Sequence, residues 1–202
     1  MTLHVETVAP GLFALLGRVM ANEVFDAFTL GGGTSLALRF GHRESVDIDL
    51  FTDQEFDPDA LAGHLKDQYG MVEAATATNT VRGIIDGIKV DFLAHRYPLL
   101  SEVETVRGIR MLSLEDISAM KLNAIANRGS KKDFWDFAEL LSRFSREEML
   151  GFYARKYPQD SLWNVEKSLG YFVDAEVQPD PRDHVGRTWS EVKRIIEEQN
   201  RL

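Results

Sequence analysis

Residues 25–52 read FDAFTLGGGTSLALRFGHRESVDIDLFT, and two features of this stretch decide the fold. Phe25–Leu30 predicts a short strand that runs into Gly31, Gly32 and Gly33, with Thr34 or Ser35 capping a helix that continues through Phe40. Successive glycines let backbone amides approach a phosphate, and the N-terminus of the helix adds partial positive charge. The other reading of the glycines is a tight turn that needs positive φ. Ser45–Thr52 then alternates and is rich in β-formers, so it predicts a strand. Asp47 and Asp49 are two apart on it, share a face and stand about 6–7 Å from one another, so that both carboxylates can converge on a metal. Two-metal sites hold their ions roughly 3.5–4 Å apart, a span such a pair can clamp. An exposed edge strand would explain the acids equally, but Val46, Ile48, Leu50 and Phe51 give the strand a central character, and there two carboxylates need a cation or a partner.

Working outward, a third acid, Asp91, lies inside the apolar run Ile88–Leu93. If that strand adjoins the first, Asp91 completes a three-carboxylate site; if not, it is a surface acid paired with Lys89 or Arg82. Pro10–Met20 has helical apolar spacing, and Pro58–Tyr69 predicts a helix stopped by Gly70. Met71–Thr76, Thr80–Ile85 and Ile88–Ala94 predict strands, the last two joined by Asp86-Gly87 in a type I′ turn. Ile109–Met111 predicts an edge strand. From Ser113, which with Asp116 resembles a capping box, the pattern is helical: to about Asn127, then Lys131–Arg143, Ser145–Lys156, Leu162–Phe172 and, after a Pro/Asp loop, Ser190–Gln199. The expectation is an α+β chain, a mixed sheet with flanking helices over 1–112 followed by a helical region over 113–202 packed on that core.

The chain of 202 residues, 44% of them hydrophobic, is long enough for one sizeable core or a core plus a smaller lobe. It has no cysteine, which excludes disulfides, zinc–thiolate sites and cysteine nucleophiles, and a formal net charge of -9, which argues against nonspecific binding to nucleic acid. The first 25 residues lack the basic region and cleavage site of a signal peptide, and no run approaches the roughly 20 apolar residues of a membrane span. A soluble cytoplasmic protein with no membrane contact is expected.

Taken together, Gly32-Gly33-Thr34-Ser35-Leu36-Ala37-Leu38 and His42-Arg43-Glu44-Ser45-Val46-Asp47-Ile48-Asp49-Leu50-Phe51 resemble the AbiEii/AbiGii-type nucleotidyltransferase toxin family of the polymerase-β-like superfamily. Lys121-Leu122-Asn123-Ala124 with Arg128, Lys132-Asp133 and Asp136 is similar to that family's downstream Lys and Asp motifs. Leu169, Phe172, Asp174-Ala175-Glu176, Pro179, Pro181, Trp189 and Val192 resemble its C-terminal ending. The resemblance implies a polymerase-β-like nucleotidyltransferase core and transfer of NMP from an NTP to an acceptor, a tRNA 3′ end among the candidates, by a toxin restrained by a cognate antitoxin. It implies that Gly32, Gly33, Thr34 and Ser35 hold the triphosphate, that Asp47 and Asp49 bind Mg2+ or Mn2+, and that Asp91 is the third acidic position. Lys121 would neutralise phosphate charge during transfer, and Asp133 would orient Lys121 or assist the acceptor, with Asp136 a neighbour of lower weight.

Arg43 is expected either to touch phosphate or to pair with Glu44 or Asp53. Arg128, Lys131 and Lys132 form a basic cluster that would suit an RNA backbone, or equally the C-terminus of a helix. Phe134, Trp135, Phe137, Trp163 and Trp189 are expected in the core. Two non-catalytic readings stand beside the enzyme: a nucleotide-binding regulator that transfers nothing, and an interaction protein acting through its helical half.

Overall fold

The computed structural model describes residues 2–199 and divides into two compact units. The first comprises the chain up to Phe40, Ser45–Pro98 and Val103–Leu112; the second comprises Gly41–Glu44, Leu99–Glu102 and the chain from Ser113 onward.

The first unit is built on a seven-stranded mixed sheet. Its strands are β1 (Thr29–Leu30), β2 (Asp47–Thr52), β3 (Val72–Ala77), β4 (Thr80–Ile85), β5 (Ile88–Ala94), β6 (Glu104–Val106) and β7 (Ile109–Met111), in the order β3-β4-β5-β2-β1-β7-β6. The pairs β2–β5 and β1–β7 are parallel and the rest antiparallel. The helices of this unit are α1 (Pro10–Met20), α2 (Gly32–Phe40) and α3 (Pro58–Tyr69). Strand alternation decides the faces. Ile48, Leu50, Val81, Ile85, Val90 and Phe92 join one apolar core with Leu12, Leu16 and Val19 of α1 and with Leu61 and Leu65 of α3. Asp47, Asp49, Lys89, Asp91 and Arg82 therefore point to the opposite face. Helix α3 begins and ends where its chemistry dictates: Asp57 caps the amides of Asp59 and Ala60, and Gly70 closes it at φ 65.

Two expectations for this unit need correction. Phe25–Phe28 is not strand, because Asn22 caps a 3-10 turn over Glu23–Phe25 and the Arg110 guanidinium binds the carbonyls of Met20, Phe25 and Phe28, taking them out of reach of a ladder. Ile109–Met111 is not an edge, because β6 pairs beyond it. That hairpin turns through Arg107 and Gly108, both at positive φ, and an arginine in that position hides the turn from sequence inspection.

The second unit is helical: α4 (Leu114–Arg128), α5 (Lys131–Leu140), α6 (Arg146–Lys156), α7 (Leu162–Ser168), α8 (Val173–Glu176) and α9 (Trp189–Gln199). Helix α4 contacts α5, α6 and α7, while α8 and α9 lie on α5. Ser145 and Glu148 form a full capping box at α6. Helix α5 stops earlier than its periodicity implies because the Ser142 hydroxyl, 2.6 Å from the Glu139 carbonyl, helps close a turn there. The predicted helix Leu162–Phe172 breaks after Ser168 and the chain resumes as α8. Phe134, Trp135, Phe137 and Trp189 are buried, with Trp135 and Trp189 stacked at 6.3 Å, but Trp163 is 60% exposed, with the Lys167 ammonium 3.6 Å from its ring centre.

The two short excursions of the chain belong to the second unit for visible reasons. The segment 41–44 forms a bridge between Arg43 and Asp183 and exchanges backbone hydrogen bonds with Arg182 and His184. Leu100 and Ser101 donate their amides to the Asp116 carboxylate, which is fully buried and also grips Lys156 at 2.6 Å.

Candidate active site

The acids of the first unit form a row across two central strands. In the parallel pairing of β2 with β5, Asp49 is the direct partner of Asp91 and Asp47 that of Lys89. Asp49 and Asp91 thus sit side by side, about 4.8 Å apart at the backbone, with Asp47 one step along β2 on the same face. Asp91 is buried. Its Oδ2 lies 3.4 Å from Arg82 Nε and 3.2 Å from Lys89 Nζ, while its buried Oδ1 has no hydrogen-bond partner. Asp91 therefore adjoins the first strand and is paired with both cations, but it is a buried acid and not a surface one.

The glycine run meets this row directly. The Gly31 amide donates to the Asp49 carbonyl at 3.0 Å, and Gly32, at φ +63, opens α2 against the Asp49 side chain. A Cβ on Gly32 would lie 2.4 Å from Asp49 Oδ2, and one on Gly31 would lie 2.7 Å from the Phe51 ring. Positive φ and close approach are thus both real requirements at Gly32, and the first amides of α2 have no acceptor within the helix. Thr34 and Ser35 do not cap it; both lie inside α2 and are fully buried. The Thr34 hydroxyl donates to the Asp47 carbonyl and so receives the Ser45 hydroxyl, 2.8 Å away, fastening the first residue of β2 to α2.

Substituting Gly32 by Ala tests this fit. The left-handed backbone should cost about 1–2 kcal/mol in urea unfolding. The displaced Asp49 carboxylate should lower nucleotidyl transfer roughly 10²-fold in a labelled-NTP assay.

The downstream residues form a separate network within the second unit. Lys121 of α4 is buried, and its ammonium lies 3.0 Å from Asp133 and 2.6 Å from Asp136. Asp136 also accepts the Arg43 guanidinium in a two-pronged pairing at 2.7 Å per bond, and His42 Nε2 at 2.8 Å. The residue given least weight in the sequence is therefore the hub, joining the His42-Arg43 segment to the Lys121 helix. Arg43 pairs with Asp136, and its Nη1 donates to the Glu44 carbonyl. Asp133 accepts Arg128 and Ser130 in addition to Lys121. The basic cluster is largely engaged internally: Arg128 pairs with Asp133, and buried Lys131 pairs with Asp180 at 2.9 Å.

Burial alone would raise Asp133 and Asp136. Lys121 and Arg128 outweigh it at Asp133, and Arg43, Lys121 and His42 at Asp136, so both carboxyls are held well below the ordinary 3.8. For Lys121 burial pulls downward, but Asp136 and Asp133 prevail over it and over Arg43, and the ammonium is raised above 10.5. Depressed acids contribute stability that is present above their unfolded value and lost as pH falls towards the folded one; a raised lysine contributes below its unfolded value and loses that contribution at alkaline pH. Urea stability of the chain should therefore fall as pH drops below 3.8 and again as it climbs past 10.5, and Asp136→Asn should flatten the acid limb.

Among the described residues no group of three or more His, Asp or Glu side chains is gathered as a finished metal cluster. The acid row nevertheless fits a divalent cation: hard oxygen donors share one face, the Asp91 Oδ1 is buried without a hydrogen-bond partner, and the bare Gly32 leaves the Asp49 carboxylate its space. An open depression of about 670 Å³ in the same unit, lined by residues such as Phe56, Asp59, Thr76 and Asn79, includes none of these acids. The polar side chains that line the depression are not buried, whereas Asp91 of the acid row is.

Comparison with known proteins agrees with the geometry. The family model described as nucleotidyl transferase AbiEii toxin, type IV toxin–antitoxin system, matches residues 14–190. An uncharacterised protein of Aquifex aeolicus, aq_aa25, is 34% identical over 189 residues, covering 90% of each chain. JHP933 of Helicobacter pylori has a similar fold, with a TM-score of 0.54 at 20% identity over 99% of this chain and 94% of its own. MenT4, a nucleotidyltransferase toxin of Mycobacterium tuberculosis, also has a TM-score of 0.54, at 15% identity over 93% of this chain and 82% of its own. With a family match that runs from α1 to α9 and takes in the glycine turn, the acid row and the Lys121 network, the chain belongs to the nucleotidyl transferase AbiEii toxin family and is a nucleotidyltransferase.

Proposed function

We propose that the protein transfers NMP from an NTP to a hydroxyl acceptor, releasing pyrophosphate, and that Asp47, Asp49 and Asp91 hold a divalent cation, Mg2+ or Mn2+, for that step. The observation that carries this reading is the register of Asp49 beside Asp91 with Gly32 against the Asp49 carboxylate. A divalent ion held by these acids would screen the triphosphate and polarise the phosphorus under attack. The chain itself contributes orientation: the Gly31 amide fixes β2 to the turn, Thr34 fixes its first residue, and the amides of Gly32, Gly33 and Thr34 at the start of α2 offer donors to phosphate oxygens. As the acceptor oxygen bonds to the α-phosphorus, the bond to the bridging oxygen breaks and pyrophosphate leaves; the acceptor proton passes to a carboxylate of the row or to water.

Lys121 enters the proposal as a cation fixed by Asp133 and Asp136 that counters phosphate charge, with Asp133 as its orienting partner. For the acceptor we propose RNA, a tRNA 3′ end foremost. We further propose that the protein acts as a toxin in the cytoplasm under the control of a cognate antitoxin, as the type IV system of its family implies. Incubation with each labelled NTP, Mg2+ and total RNA tests the reading. Label should enter RNA with the wild type and not with Asp49→Ala. Nucleotide binding by both proteins without transfer by either would replace the enzyme with a nucleotide-binding regulator.

A further inference from the structure

Arg82 and Lys89 stand on the same sheet face as the acid row, and the metal-binding reading does not account for them. Arg82 is the direct cross-strand partner of Asp91, and Lys89 that of Asp47. Both side chains are more than half exposed, yet both direct their charge at one atom, Asp91 Oδ2. The other oxygen of that carboxylate is buried and has no hydrogen-bond partner. An ionised carboxylate can accept on both of its oxygens. Here one oxygen is doubly covered and the other is left to something else.

The charge balance of the face points the same way. On this face of β2, β4 and β5 the charged residues are Asp47, Asp49, Asp91, Arg82 and Lys89, three acids against two bases, so the face carries one negative charge in excess. Binding one divalent cation reverses the sign and makes the two basic groups surplus to Asp91. They are long, exposed and able to swing away, so a surplus of positive charge becomes available beside the metal row. We propose that Arg82 and Lys89 are a phosphate-binding pair that neutralises Asp91 while the row is empty and turns to a substrate phosphate when the cation is bound. This rests on the acid row being the metal site. The phosphate comes from the nucleotide or from the RNA backbone, which share this chemistry, and the experiment separates them.

The test uses the whole chain carrying Arg82→Ala together with Lys89→Ala, with Asp49→Ala and Arg82→Lys as companions. Mn2+ affinity is read without nucleotide by electron paramagnetic resonance, and the affinities for a nonhydrolysable ATP analogue and for RNA are read with Mn2+ saturating. Removing two positive charges from beside the carboxylates should tighten Mn2+ about 3- to 10-fold. Loss of two charge-assisted contacts should weaken one of the two anions roughly 10- to 100-fold, and the anion that weakens names the source. Arg82→Lys should keep most of that affinity, since the charge remains. If Mn2+ binds through Asp49 but neither anion weakens in the double variant, the pair only neutralises Asp91 and the proposal is overturned. If Asp49→Ala binds Mn2+ as well as the wild type, the metal reading fails first and takes this inference with it. Arg82 and Lys89 are exposed, so an unchanged circular dichroism spectrum is expected in the double variant and in Arg82→Lys.

Discussion

Asp47→Asn should lower nucleotidyl transfer roughly 10³-fold, the scale of losing one preorganised electrostatic contact. The substitution keeps the volume and removes one charge from a row in which Asp47, Asp49 and Asp91 share a face. It leaves the Asp47 carbonyl in place, and with it the bond from Thr34 that fastens β2 to α2. Relief of repulsion among three carboxylates offsets whatever partner the side chain loses, so urea stability should stay within about 0.5 kcal/mol of wild type, as for an ordinary surface change. Equal loss of activity and stability would mean that Asp47 is structural.

The second large effect lies in the helical unit and is the reverse. Asp136→Ala should destabilise the chain by about 3–5 kcal/mol, the penalty for leaving buried charges without their partner. Asp136 is fully buried and accepts Arg43 through two bonds, His42 through one and Lys121 at 2.6 Å. None of these partners can follow it to water: Arg43, His42 and Lys121 are all buried. Asp133→Ala should cost less, about 1–3 kcal/mol, because Arg128 is 59% exposed and returns to solvent while Lys121 keeps Asp136. Urea unfolding of both variants checks the ranking, and a larger loss from Asp133 would remove Asp136 from its place as hub.

These contrasts also explain what could be read in the sequence. Asp47 and Asp49 were legible because a strand repeats every two residues, so spacing alone puts them on one face. Helix α3 was legible from end to end because Pro58 and Gly70 are local signals whose effect is decided within one turn. The Asp86-Gly87 turn was legible for the same reason, and both residues have positive φ. Asp136 was not, since its partners lie 15 residues upstream on α4 and more than 90 upstream in His42-Arg43, and no periodicity links them. Arg110 likewise acts through carbonyls more than 80 positions away, which is why Phe25–Phe28 looked like strand and is not. Asp91 stood between: its apolar surroundings were visible, but only the β2–β5 register places it next to Asp49. Trp163 was misjudged because its helix carries too few apolar residues to bury both faces, and the ring was left outside with Lys167.

The central claim is that the acid row and the glycine turn together receive a cation-bound triphosphate. Anomalous diffraction from crystals soaked with Mn2+ and a nonhydrolysable NTP tests it most directly. The account predicts manganese among the carboxylates of Asp47, Asp49 and Asp91, with phosphate oxygens at the amides that open α2. Manganese bound instead beside Glu55, Asp57 and Asp59, or a triphosphate remote from Gly32, would contradict it.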